Sequence, residues 1–188
     1  KNVMIFLQQY GVSTAYAAKI YRQYGKESID NVKENPYRLA DDIWGIGFKT
    51  ADGIASKMGY EKNDLRRCKS GISYTLNELS NEGHVYAIEE QLIEAAKKLL
   101  EADEEPIRQA ISDMIASEDL IRENEAIYLP PFYHSERGTA KKLLTLINSQ
   151  GANNLGLKVD IKAIEKASGI EYDEVQIAAI QQAIRSKV

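Results

Sequence analysis

With 188 residues, 44% of them hydrophobic and 28% charged, the chain has an ordinary globular composition and the length for one large or two small domains. A mean hydropathy of −0.40, with no run of about 18 apolar residues, excludes a membrane span. No basic stretch followed by an apolar one argues for export, so the expected location is cytoplasmic. The single cysteine, Cys68, excludes an internal disulfide, and with only His84 and His134 beside it no metal site is expected.

The net charge of −4 is unevenly spread: residues 1–69 carry 12 Lys/Arg against 8 Asp/Glu, residues 70–135 carry 4 against 14, and residues 136–188 carry 8 against 6. The middle segment is therefore a poor place for a phosphate backbone and the first a better one.

In chain order, the first feature is a repeat with an offset of 34 residues. Gly11 maps onto Gly45, Val12 onto Ile46, Ala17 onto Ala51, Ile20 onto Ile54 and Gly25 onto Gly59. Apolar residues at Ala17, Ile20, Tyr21, Tyr24 and at Ala51, Ile54, Ala55, Met58 follow the spacing of one helix face, and Gly25 and Gly59 stand where a left-handed cap ends a helix. Short apolar helices, Val3 to Gln8 and Pro36 to Asp41, precede the turns at Gly11 and Gly45. Each repeat thus reads as helix, glycine hairpin, helix. Two copies are too few for a helical-hairpin solenoid.

Glycine lets the chain turn sharply into the second helix, whose first amides lack intrahelical acceptors and carry the positive end of the helix dipole. Such a terminus binds anions. The amides of Gly45, Gly47 and Lys49 are expected to meet a phosphate, with Ile46 turned inward as a plug and Lys49 and Thr50 adding a cation and a hydroxyl. The phosphate-contacting residues so expected are Gly11, Val12, Ser13 and Thr14, and Gly45, Ile46, Gly47, Phe48, Lys49 and Thr50.

The run from Asn35-Pro36-Tyr37-Arg38-Leu39 through Gly45-Ile46-Gly47-Phe48-Lys49-Thr50-Ala51-Asp52-Gly53-Ile54-Ala55 resembles the tandem helix-hairpin-helix region of RecD/TraA-type (RecD-like) DNA helicases of superfamily 1. The resemblance makes the phosphate-contacting residues DNA-contacting. Ser13, where a second glycine is expected, sets the first hairpin apart from that pattern.

From Asp64 to about Pro131 the pattern reads as a winged helix. A helix carries Ile72, Leu76 and Leu79 and stops near Gly83; His84-Val85-Tyr86 forms a strand; helices follow through Leu92 to Leu99 and from Pro106 to Ile115; and Leu120 to Arg122 pairs with Ala126 to Leu129. The third helix offers Arg108 among Glu104, Glu105, Asp113, Glu118 and Asp119, which favours a scaffold or a protein-docking role at residues 70–135 over DNA binding.

Leu129-Pro130-Pro131-Phe132-Tyr133 forms a corner into a helix carrying Ala140 to Ile147, a pattern also similar to RecD-like helicases, and Ser149 to Gly156 is a linker. Beyond it, Tyr172 to Ile180 resembles the glutamine motif that precedes the phosphate loop of superfamily 1 helicases, with Gln176 as the residue that reads the adenine edge and Ala179, Ile180, Ala183 and Ile184 packing the helix. No G-x-x-x-x-G-K-[ST] motif occurs; the one Gly-Lys pair, Gly25-Lys26, is followed by Glu27.

The expected fold is mainly α: a tandem helix-hairpin-helix domain (1–65), an acidic winged-helix-like α+β module (66–132), a connecting helix (133–150), a linker (151–159) and the start of a motor domain (160–188). The resemblance implies the DNA-binding, non-motor N-terminal fragment of an ATP-dependent 5′→3′ helicase of recombination and repair, exodeoxyribonuclease V alpha-type. ATP and Mg²⁺ belong to the full-length parent; no cofactor, catalytic residue or metal ligand is expected here. The alternatives are a protein-docking module of a repair complex and a helix-hairpin-helix DNA glycosylase, for which Asp64 is at about the right distance but sits in Lys62-Asn63-Asp64-Leu65, without that family's Val-Asp-Thr-like setting.

Overall fold

The structure, a computed structural model, describes residues 2–148 and 159–185, with the side chains of Ile184 and Arg185 excepted. The expected linker, Ser149 to Gly156, and the packing role expected of the Ile184 side chain lie outside the described residues. Residues 1–133 form one compact unit and residues 134–188 a second.

The first unit begins with α1 (Asn2–Gln9) and α2 (Thr14–Tyr24), then a 3-10 turn (Gly25–Glu27) and α3 (Ser28–Glu34). Next come α4 (Arg38–Asp42), α5 (Phe48–Lys57) and α6 (Leu65–Asn81). Helix α3 was not expected; it buries Val32 and Ser28, whose hydroxyl donates to the Gly25 carbonyl at 2.6 Å. The helix expected from Pro36 starts two residues later. Pro36 and Tyr37 form a turn in which Asn35 Oδ1 accepts from the Tyr37 amide at 3.1 Å, a local bond that competes with helix.

The rest of the unit runs β1 (Ala87–Ile88), α7 (Glu89–Leu100), α8 (Glu104–Ala116), β2 (Ile121–Glu123) and β3 (Ala126–Tyr128). The three strands make an antiparallel sheet in the order β1-β3-β2, with Ala87 opposite Ile127 and Arg122 opposite Ile127 on its other side. This is the order of elements read from the sequence, but β1 lies at residues 87–88 and not at 84–86. Gly83 (φ +96°) and the His84 amide, which donates to the Leu79 carbonyl, are used in ending α6. Val85 and Tyr86 stay exposed while Ala87 is buried.

One core runs through the unit, from Leu7, Ile20, Leu39 and Ile46 to Ile72, Leu92, Ile107 and Ile127. Burying each of these larger side chains contributes roughly 1.5–3 kcal/mol. Helix α6 packs closely on the end of α7 at Gly71, where a methyl group would come within 2.6 Å of the Leu100 side chain.

Helix α9 (Pro130–Asn148) opens on its two prolines, which need no N–H in a first turn. In the second unit α10 (Ile161–Ser168) is capped by Asp160, which accepts from the Ala163 amide, and ends at Gly169 (φ +68°). Helix α11 (Glu174–Arg185) is opened by a reciprocal pair: the Gln176 amide donates to Asp173 Oδ1 and the Asp173 amide to Gln176 Oε1. Among the described residues no helix is long and apolar enough to cross a membrane, and no cluster suited to a metal ion occurs.

Candidate nucleic-acid interface

The two hairpins share a backbone solution. Gly11 and Gly45 have φ of +80° and +94°, a region that side chains rarely adopt, and the residue after each is buried, Val12 at 5% exposure and Ile46 at 2%. The apolar plug and the glycine bend therefore occur together, 34 residues apart, as the repeat requires. Gly47 differs. Its φ is −97°, and a methyl group added there would meet nothing within 4 Å.

The starts of α2 and α5 are not equivalent. Ser13 caps α2, its hydroxyl accepting from the Tyr16 amide at 3.3 Å. Gly47 caps α5 with no side chain, and the amides of Gly45, Gly47, Phe48 and Lys49 donate to no other described residue. Those amides stand at an exposed turn, at the end of the helix where the backbone dipoles leave about half a positive charge. The Lys49 ammonium has no carboxylate partner among the described residues and lies 5.7 Å from the Tyr74 ring centroid. A backbone phosphate at this point would find amide donors and a cation, with open space beside Gly47.

Each hairpin also reaches the other's turn. From α2, the Tyr16 hydroxyl donates to the Gly45 carbonyl at 2.7 Å and Lys19 Nζ donates to the Trp44 carbonyl at 3.0 Å. From α5, Lys57 lies over Gly11, its Nζ where a methyl group on that glycine would stand. The bonds to the second turn go to carbonyls and leave its amides unused.

Of the residues expected at the interface, Gly11, Ser13, Thr14, Gly45, Gly47, Lys49 and Thr50 are exposed around the two turns. Val12 and Ile46 offer only backbone. Phe48 also turns inward, at 5% exposure, stacked on Tyr37 and Tyr74 with ring centroids 6.3 and 5.3 Å apart. Thr14 accepts from Gln8 Nε2 at 3.3 Å. Tyr16, Lys19, Trp44 and Lys57 were missed; an aromatic and a lysine three apart on α2, facing the other copy's turn, was the available signal.

Two carboxylates of the motif region are structural. Asp52 takes a two-pronged bond from Arg67, Nε to Oδ1 at 2.7 Å and Nη2 to Oδ2 at 2.9 Å, and also accepts from the Tyr37 hydroxyl at 2.9 Å. Arg67 Nη1 donates to the Leu100 carbonyl as well, so this cluster ties α5 to α6 and to the end of α7. Burial and the Asp52 carboxylate push the Tyr37 phenol well above its usual range. Asp64 caps α6 and is gripped by the Arg66 guanidinium, which holds its carboxyl below the usual range.

Residues 1–86 match the family model described as the ATP-dependent RecD2 DNA helicase HHH domain. In this N-terminal part the chain is similar to RecD2-type helix-hairpin-helix domains. The whole chain is similar to the ATP-dependent RecD2 DNA helicase of Deinococcus radiodurans, 22% identical over 196 residues that take in 97% of this chain and 27% of that relative. The chain thus spans little more than a quarter of the RecD2 relative's length.

In the acidic stretch 70–135 three of the four basic side chains, Lys97, Arg108 and Arg122, are held in partly exposed ion pairs with carboxylates. Arg108 on α8 bonds Glu90 and Glu104, Lys97 bonds Glu94 and Glu104, and Arg122 bonds Glu89. On α8 Glu105 is exposed, while Glu104, Arg108 and Asp113 are half-buried in ion pairs.

Proposed function

We propose that residues 1–65 bind DNA by its phosphate backbone, without reading base sequence, as the non-motor N-terminal part of an ATP-dependent 5′→3′ helicase acting in recombination and repair. The reading rests above all on the open amide turn at Gly45 to Lys49, where a helix start has neither a capping side chain nor a neighbouring carboxylate on its lysine. Phosphate contacts position a protein on DNA and carry no base information.

Binding by this chain alone is expected at a Kd on the order of 10⁻⁴ to 10⁻⁶ M at physiological salt. Fluorescence anisotropy of a labelled oligonucleotide across a salt series tests it. Affinity should fall steadily as salt rises, and Lys49→Ala should reduce the slope of log Kd against log salt by about 1. Absence of binding at low ionic strength removes the proposal. In the parent, Gln176 is proposed to read the adenine edge of ATP, which would act with Mg²⁺. In this structure its side-chain oxygen accepts from the Asp173 amide, and its side-chain amide NH₂ keeps its donors.

A second role belongs to the acidic module, which we propose docks a basic protein partner. Its bound cations and outward carboxylates favour this over DNA. Glu105→Gln with Glu118→Gln should leave DNA affinity within about twofold; a larger rise would place that face on the DNA path.

A further inference from the structure

We propose that Trp44 is a stacking platform for an unpaired base, so that the second hairpin takes single-stranded DNA with one base laid on the indole beside the held phosphate. This inference rests on the backbone-binding reading and adds the substrate class to it.

Trp44 is the chain's only tryptophan and it is 90% exposed. So exposed an indole presents an open aromatic face that a partner ring can cover. The ring is attached to a fixed point. Lys19 holds the Trp44 carbonyl, and Tyr16 holds the next carbonyl along, that of Gly45. The Lys19 ammonium stands 5.1 Å from the indole centroid and 5.5 Å from that of Tyr16, where it enriches the rings' surroundings in positive charge.

The adjoining residues supply the other half of a nucleotide's chemistry. Gly45 and Gly47, one and three positions after Trp44, carry unused amides. Aromatic stacking accepts every base, as a site without sequence preference requires, and in duplex DNA the faces of the bases are already covered by their neighbours. An apolar protein surface as partner would need more than one exposed ring, and around Trp44 on the turn Ile43 and Ile46 are buried while Gly45 and Gly47 have no side chains.

The experiment uses this chain, the intrinsic emission of Trp44, and labelled oligonucleotides read by anisotropy at low salt. The probes are oligothymidylate, an abasic strand of the same length, and a blunt-ended duplex. Oligothymidylate should quench Trp44 emission and bind roughly 5- to 150-fold more tightly than the abasic strand, the equivalent of about 1–3 kcal/mol for one stacked base. Trp44→Ala should bring oligothymidylate down to the abasic level and leave abasic binding unchanged, while Trp44→Phe should restore part of the difference. Thermal unfolding of the variants should match the parent chain, because so exposed a ring contributes little to the core.

Anisotropy that reports binding while Trp44 emission stays constant and both strands bind equally would overturn the stacking proposal and leave the phosphate reading standing. Quenching by the duplex alone would overturn it as well. Absence of binding to any of the three probes would overturn both.

Discussion

The hydroxyl of Tyr16 donates a 2.7 Å hydrogen bond to the carbonyl of Gly45, so a helix of the first hairpin holds the turn of the second. The bond fixes a carbonyl and thereby orients the amides on the far side of the same turn. Tyr16→Phe should cost about 1 kcal/mol in stability, the usual net worth of one such bond. It should weaken DNA binding several-fold through a looser turn, with the salt slope unchanged because no cation is lost. Urea unfolding and anisotropy on the same preparation separate the two effects.

Gly47 and Gly45 should respond in opposite ways to a small side chain. Gly47 has a φ that serine adopts freely and caps α5 with nothing, whereas Ser13 already performs that cap for α2. Gly47→Ser should therefore raise stability by a few tenths of a kcal/mol, since serine exceeds glycine as a helix cap by that amount. Its hydroxyl would occupy an amide that a phosphate needs, so DNA binding should fall. Gly45→Ala, at φ +94°, should lose both, with a strain of about 1–2 kcal/mol. Thermal unfolding and anisotropy would show one variant more stable and weaker-binding, the other less stable and weaker-binding.

The Asp52–Arg67 pair is mostly shielded, at 23% and 13% side-chain exposure, and Tyr37 adds a third member. Asp52→Ala leaves a guanidinium with one carboxylate fewer and should cost about 3 kcal/mol in stability. Urea unfolding measures it; a loss below about 1 kcal/mol would show that water replaces the carboxylate.

Acid unfolding should carry the mark of Asp64. Its carboxyl is held low by the bonds from Arg66, so the folded state keeps the charge at a pH where the unfolded chain, near the ordinary value of about 3.9, has begun to bind a proton. The stabilisation is complete above that value and is lost as pH falls through the lower, folded one. Asp64→Asn should lower stability at pH 7 and flatten its decline below pH 4, as followed by urea midpoints from pH 7 to pH 2.5.

The repeat was legible in the sequence because glycine at positive φ followed by a buried Val12 or Ile46 is a local requirement, met within four residues. The helices of the acidic module were legible for the same reason: Ile72, Leu92, Ile107 and their helical neighbours keep the period of a buried face. Strand β1 was misplaced by three residues because its position is set by Ile127, forty residues away, and by the use of His84 in closing α6. Phe48 read as an interface residue from its place beside Gly47; the direction of its ring depends on Tyr37 and Tyr74, which only the fold brings near. Asp52, Gly71 and Gln176 illustrate the same limit. Arg67, Leu100 and Asp173 give them structural work that spacing alone does not announce.

Amide resonances offer the shortest route to the account's main claim, that the second hairpin presents unengaged backbone N–H groups to a phosphate. In a ¹⁵N–¹H spectrum titrated with a short oligonucleotide at low salt, the amides of Gly45, Gly47, Phe48 and Lys49 should move most, Ser13 to Ala15 less, and α7 and α8 hardly at all. Shifts centred on α8 or the β2–β3 turn, with the Gly47 amide unmoved at saturating DNA, would contradict it.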